Sequence, residues 1–202
     1  MINLLDFIFV GISVIIALVL HELAHGFVSY KLGDPTPKMR GRLTLNPLAH
    51  LDPFGTLCLL FFHFGWAKPV EINPNYYKNQ KVGTALVSLA GPCMNFILAI
   101  LGAVILRFTV FLNSEILISF LYTFVSINVG LGAFNLIPFP PLDGSKILAG
   151  ILPQNLYVTY MRYEQYGMFF LMVLLCLGSF TPFLNTVMSG IMNLIFKLVG
   201  FV

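Results

Sequence analysis

Phe7 to Tyr30 reads FIFVGISVIIALVLHELAHGFVSY, an apolar run that carries His21, Glu22 and His25 near its end. Crossing a hydrocarbon core of ~30 Å takes about 20 helical residues, so this run is long enough for a membrane span. It lacks the marks of a signal peptide, with no basic residue before it and no small-x-small cleavage site after it. We therefore read it as a retained helix. At a rise of ~1.5 Å per residue, His21 falls about 21 Å along the run, in its last third.

The remaining sequence also points to lipid as the main solvent. Hydrophobic residues make up 58% of the 202-residue chain and charged residues only 9%, with a mean hydropathy of +0.89. Soluble domains carry roughly 25% charged residues. A soluble globule of this composition would have more apolar surface than it could bury, whereas a bilayer accepts it on every side. The net charge of +3 is too small to suggest a nucleic-acid partner. Cys58, Cys93 and Cys176 are far apart and include no CxxC pair, which fits core filling and neither a disulfide framework nor a thiolate metal site.

After the first span, Lys31 to Pro53 is polar and broken by Asp34-Pro35, Pro37, Asn46-Pro47 and Asp52-Pro53. Within it Arg40 to Asn46 alternates as a short strand does, which predicts a β-hairpin or edge strand. Phe54 to Trp66 is apolar but short for a crossing, so a re-entrant or interfacial segment is expected. Val82 to Leu106 forms a second span bent at Gly91-Pro92, and Ile116 to Leu142 a third whose end Pro138, Pro140 and Pro141 unwind. Tyr166 to Phe180 and Phe183 to Phe196, parted by Thr181-Pro182, predict a helical hairpin. The expected fold is an all-α polytopic membrane protein with about five transmembrane helices. It forms one domain over residues 1–202, with a core at about 7–150 and the hairpin at about 165–202.

Lys and Arg concentrate on the cytoplasmic side of membrane proteins. In the five-span arrangement Lys31, Lys38, Arg40, Arg42, Lys68, Lys78, Lys81, Lys146, Arg162 and Lys197 share one side, and of the 11 basic residues only Arg107 lies opposite. The N-terminus is then outside the cell membrane, with the C-terminus and the HELAH end of the first span toward the cytoplasm.

His21 and His25, four residues apart, lie on one face of a helix and can converge on one metal ion. Glu22 beside the first ligand is placed to take a proton from an attacking water and pass it to a leaving amine. Zinc suits such chemistry because it polarises a carbonyl and lowers the pKa of water toward ~7. Three ionisable groups in an apolar helix cost several kcal/mol, on the order of the known insertion penalties, unless they face a wet cavity or a partner. Asp143, in Asn135-Leu-Ile-Pro-Phe-Pro-Pro-Leu-Asp143-Gly144, reaches the same depth at the end of the third span and is the candidate third ligand. A structural zinc site, and for Asp143 an ordinary helix N-cap, are the competing readings.

Together, His21-Glu-Leu-Ala-His25-Gly and Asn135 to Gly144 resemble the paired signature of the site-2 protease family, intramembrane zinc metalloproteases. The resemblance implies His21, His25 and Asp143 as ligands of one zinc ion and Glu22 as general acid/base. Gly91-Pro-Cys-Met-Asn95 resembles the family's intervening GPxxN element, which implies that Asn95 faces the site as a substrate or oxyanion donor; a packing glycine with an interhelical Asn bond competes with that reading. Asn46 to Thr56 and Gly65 to Val70 resemble the family's compact branch, without PDZ or nucleotide-sensing domains. His50, Asp52 and Asn135 are candidate accessory residues; for His50 and Asp52 the role is to gate the site or bind a second metal, a surface turn being the simpler reading.

The implied substrate is a transmembrane protein, cleaved in the setting of regulated proteolysis, and its helix must be unwound before water can attack. The alternation of Arg40–Asn46 suggests that this edge holds the unwound segment by β-addition, and a separate regulatory membrane partner is expected. A metal transporter or metal-binding membrane protein is the rival. Transporters string polar groups through both leaflets and often show inverted repeats, neither of which is visible here.

Overall fold

The computed structural model describes residues 4–52, 55, 67–109, 111, 113–153, 156–157, 160, 162, 164–178 and 181–201. The expected re-entrant or interfacial segment, Phe54 to Trp66, lies outside the described residues apart from Gly55. Among the described residues the architecture is helical. The helices are α1 (Leu4–Lys31), α2 (Thr36–Met39), α3 (Gln80–Thr109), α4 (Glu115–Asn135), α5 (Asp143–Ile151), α6 (Glu164–Cys176) and α7 (Thr181–Val199). Four of them, α1, α3, α4 and α7, are long and apolar enough to cross a bilayer. Helix α6 has 13 residues, a length of about 20 Å.

Neighbouring helices alternate in direction. His21 and His25 of α1 meet Asn95 and Val87 of α3, so sequence rises on one helix as it falls on the other. Likewise Asn95 of α3 meets Asn128 of α4, and Gly102 packs on Phe124 and Val125. On α4 and α7, Tyr122 stacks on Phe196 at 6.2 Å between centroids while Gly130 faces Met188, again an antiparallel pair. The Arg107 guanidinium, at the end of α3, donates to Val199 O at the end of α7 and satisfies a terminal carbonyl there. A buried cluster of Ala99, Ala103, Val125, Val129, Met192 and Ile195 joins α3, α4 and α7. The small residues on α3 let the backbones approach closely, as packing in lipid requires.

These directions differ from the expected C-terminal hairpin of two crossings. Helix α7 ends beside Arg107, so Lys197 lies at the membrane face opposite the ends of α1 and α4. Of the other basic residues, nine remain on the first side. The outward faces of α1, including Phe7, Ile8, Val10, Ile12 and Ile15, are exposed apolar surface of the kind lipid covers.

Arg40 to Asn46 forms a turn and bend with no strand, and the described residues contain only an isolated antiparallel bridge, Leu51 with Ala67. The physical reason is that this loop folds on itself. The buried Arg42 side chain donates to Ala49 O and to Pro69 O, and His50 Nε2 donates to Thr44 O at 2.9 Å. These contacts tie the loop to the Lys68–Val70 segment.

Candidate metal centre

Helix α1 carries His21 and His25 one turn apart on its buried face, and their rings lie edge to face with centroids 4.6 Å apart. After α4 the chain turns through Pro138–Leu142, with a cis peptide bond between Pro140 and Pro141, and enters α5 at Asp143. Leu142 occupies the N-cap position, so Asp143 is the first helical residue and its carboxylate is directed to the histidines. Gly144 permits this turn, because a Cβ there would run into the carbonyls of Leu136 and Ile137.

The three ligand-type atoms form a triangle. His21 Nε2 lies 3.1 Å and His25 Nε2 3.2 Å from Asp143 Oδ2, and the two Nε2 atoms are 3.0 Å apart. Among the described residues this is the one group of His, Cys, Asp and Glu placed to hold a metal ion.

The bonds on the far side of each ring decide what the triangle can hold. Asn95 Nδ2 donates to Asn128 Oδ1 at 3.1 Å and to Ala17 O at 3.3 Å, which turns Asn95 Oδ1 toward His21 Nδ1 at 2.6 Å. His21 Nδ1 must therefore carry the proton. His25 Nδ1 faces Val87 O at 2.7 Å, and a carbonyl can only accept, so it carries a proton too. In neutral imidazoles both Nε2 atoms are then bare lone pairs facing a carboxylate. Three acceptors in mutual contact repel unless a cation lies among them. Ligands of a tetrahedral zinc ion at roughly 2.0–2.1 Å stand about 3.3 Å apart, close to the observed spacings. The donor set and its geometry fit zinc.

Helix α3 leaves room for the rings only because Gly91 has no side chain. A Cβ there would lie 2.6 Å from His21 Nε2 and closer still to His25 Nε2.

Glu22 is anchored from the loop side, where Val70 N donates to its Oε2 at 2.9 Å. The loop is held by a buried knot. Asp34, fully buried, accepts from Ser29 Oγ at 2.8 Å, Asn73 N at 2.7 Å and Thr36 N at 2.9 Å, and Ser29 Oγ also meets Tyr77 OH at 2.8 Å. Burial pushes the Asp34 carboxyl up, but these donors outweigh it and hold the group below its ordinary range. Burial raises the Tyr77 hydroxyl above its ordinary value.

Two cavities flank the triangle, and His21, Glu22, Asn135 and Pro141 border both. One, of about 200 Å³, is also lined by Val70, Ser88, Asp143 and Lys146 and is the more polar. The other, of about 210 Å³, is lined by Leu18, Leu131, Phe134, Met168 and Leu171 and faces the apolar side between α1, α4 and α6.

A model of peptidase family M50 matches residues 111–178, which include the Asn135–Asp143 segment. The chain is 40% identical over 194 residues to "Putative zinc metalloprotease YwhC" of Bacillus subtilis (strain 168), covering 91% of this chain and 89% of that protein. The chain belongs to peptidase family M50, the site-2 proteases. Two further relatives are each 30% identical. "Putative zinc metalloprotease Rip2" of Mycolicibacterium smegmatis matches over 89% of this chain and 69% of its own length. "Zinc metalloprotease MJ0392" of Methanocaldococcus jannaschii matches over 71% of this chain and 34% of its own length. No solved structure matches the chain significantly.

Against this M50 background the other sequence candidates separate. Asn135 reaches the site and borders both cavities. Asn95 is fully buried with its amide spent on His21, Ala17 and Asn128, which leaves no donor for the substrate contact expected of it. His50 is fully buried in the loop, not on a surface turn, and neither it nor Asp52 joins the metal-ligand group; Asp52 accepts from Gly55 N at 2.7 Å. Asn128 and the Ser29–Asp34 pair were not singled out by sequence reasoning, though both carried a signal. Asn128 lies seven residues before Asn135 on one stripe of α4, and Ser29 continues the His21–His25 stripe of α1.

Proposed function

We propose that this M50 protein is an intramembrane zinc endopeptidase that cleaves other membrane proteins within or beside their transmembrane segments. The observation that supports this best is the meeting of His21 Nε2, His25 Nε2 and Asp143 Oδ2 beside Glu22, inside a bundle of membrane-length helices. In this reading those three residues hold a single zinc ion per chain.

Zinc bound there would supply a Lewis acid for the peptide carbonyl and lower the pKa of water toward ~7. The Val70 N–H holds Glu22 Oε2, so the carboxylate is oriented to take a proton from the attacking water and deliver it to the departing amine nitrogen. Asn95 and Val87 hold the two imidazoles in the tautomer that turns Nε2 inward. The apolar cavity suits side chains of a substrate helix, while the polar one admits water and the unwound backbone next to Pro69–Ile72. Unwinding is required because a helical peptide group in lipid is shielded by its own hydrogen bonds.

The basic residues favour a cytoplasmic location for the site, with both the start of α1 and the end of α7 outside the cell membrane. Residues 1–202 act as one membrane domain, with the lipid bilayer and a transmembrane substrate as partners. Regulated intramembrane proteolysis, with a separate membrane regulator, is the biological setting this chemistry fits.

Purified protein in detergent should contain one zinc per chain and cleave a single-span substrate. Glu22→Gln should retain the zinc and lose cleavage by about 100-fold or more. Unchanged cleavage in that variant would refute the role of Glu22, and zinc transport without cleavage would favour the metal-transport reading.

A further inference from the structure

We propose that Asn128, which touches none of the ligand atoms, is a positioning residue that fixes the tautomer of His21 through Asn95. The inference rests on His21 being a zinc ligand. Asn128 is fully buried on α4, and in an apolar helix an amide needs partners for both of its ends. Its Nδ2 donates to Phe124 O at 2.9 Å, one turn back on the same helix. That bond settles which way the amide points. Its Oδ1 therefore faces Asn95 Nδ2 at 3.1 Å.

The direction then passes along the chain of bonds. With Nδ2 engaged, Asn95 presents Oδ1 to His21 Nδ1 at 2.6 Å, and the ring proton resides there. If the Asn95 amide rotated by half a turn, its N–H groups would face His21 Nδ1. The ring would then carry its proton on Nε2, pointing into the triangle where a metal must bind. Asn128 Oδ1 and Ala17 O are the two acceptors that oppose this rotation, and the Ala17 contact is the longer at 3.3 Å. Asn95, one bond removed from His21, is the kind of partner that typically sets 10–100-fold in metal affinity, and Asn128 acts on His21 through it.

The test is zinc affinity of full-length protein in detergent, measured by competition with a chelator and read beside cleavage kinetics. Asn128→Leu should weaken zinc binding by about tenfold or more, with the KM for substrate unchanged at saturating zinc. Asn128→Asp keeps an oxygen for Asn95 Nδ2 but loses the donor to Phe124 O, so it should bind zinc more tightly than Asn128→Leu without reaching the wild-type affinity. Asn128→Thr is the second probe. Its hydroxyl can bond back to Phe124 O and keep the helix intact while withdrawing the oxygen from Asn95, and it should lose zinc as the Leu variant does. Combined with Asn95→Leu, Asn128→Leu should add no further loss, since both act on one bond to His21. Wild-type zinc affinity in the Leu or Thr variant, or a fully additive double variant, would overturn the proposal. A wild-type chain that binds no zinc would instead overturn the reading of the site, and this inference with it.

Discussion

Gly91→Ala adds one methyl group at the point where α3 passes the two imidazoles. The new Cβ would lie 2.6 Å from His21 Nε2, whereas ordinary contact begins at 3.4 Å, a shortfall of about 0.8 Å. The obstacle is two rings already fixed at Nδ1 by Asn95 and Val87, so neither can swing aside without giving up a buried bond. Overpacking of this size costs about 1–3 kcal/mol. If the helices hold and the rings give way, the strain falls on the metal site. A loss of 1.4–2.8 kcal/mol corresponds to about 10–100-fold in affinity. The assay is chelator competition on purified protein, with cleavage measured in parallel. Gly11→Ala is the control, because nothing lies within 4 Å of the Cβ it would gain on α1. That control should bind zinc as the wild type does and, as a helix-interior Gly→Ala change, melt no lower. Wild-type zinc affinity in Gly91→Ala would refute the close approach of α3 to the ligands.

Val70→Pro removes the N–H that holds Glu22; kcat should fall by about tenfold with zinc content unchanged, and a matching loss of zinc would show that the loop holds the metal ligands instead. Asp34→Asn should destabilise the fold by about 2 kcal/mol, by weakening three charge-assisted bonds that pin the loop to α1. Because the folded-state value of Asp34 is depressed, its contribution is present above the ordinary value of 3.8 and is lost as pH falls through the lower folded value. Melting curves of wild type and Asp34→Asn, compared from about pH 6 downward past the ordinary carboxylate value, should therefore draw together as the pH falls. A constant gap across that range would contradict the assignment.

The meeting of His21, His25 and Asp143 was legible in sequence because it is built from residue types that membrane helices seldom carry, at spacings that helix geometry brings together. His21 and His25 share a face by their four-residue offset alone, and Asp143 follows a proline cluster that must stop α4. The residues around the triangle were less legible because their role depends on which helix faces which. Asn95 reads equally well as a substrate donor or an interhelical bond, and only the position of Asn128 on the neighbouring helix decides for the second. Arg40 to Asn46 alternates as a strand does, but alternation cannot reveal that Arg42 will turn inward to the carbonyls of Ala49 and Pro69. The direction of α7 was lost to parity. Counting Tyr166 to Phe180 as a crossing inverts every later segment, and Lys197 alone carries too little charge to expose the error.

What holds the centre together also explains why its three acceptor atoms suit a cation. A buried polar group in an apolar bundle is costly unless paired, and the bundle meets this demand with some consistency. Asn128 is paired to Phe124 and Asn95, Asn95 to Ala17 and His21, and His25 to Val87. Each bond consumes a donor, and the series ends at the two Nε2 atoms and Asp143 Oδ2 with none left. Their separations of 3.0–3.2 Å are those of hydrogen bonds, yet the tautomers fixed on the far side leave no hydrogen to place between them. One added proton would relieve one edge of the triangle. A divalent ion held by His21, His25 and Asp143 would relieve all three, and Glu22 borders the cavities beside it. The bonds that fix the rings therefore favour a metal over a proton, as the proposed zinc site requires.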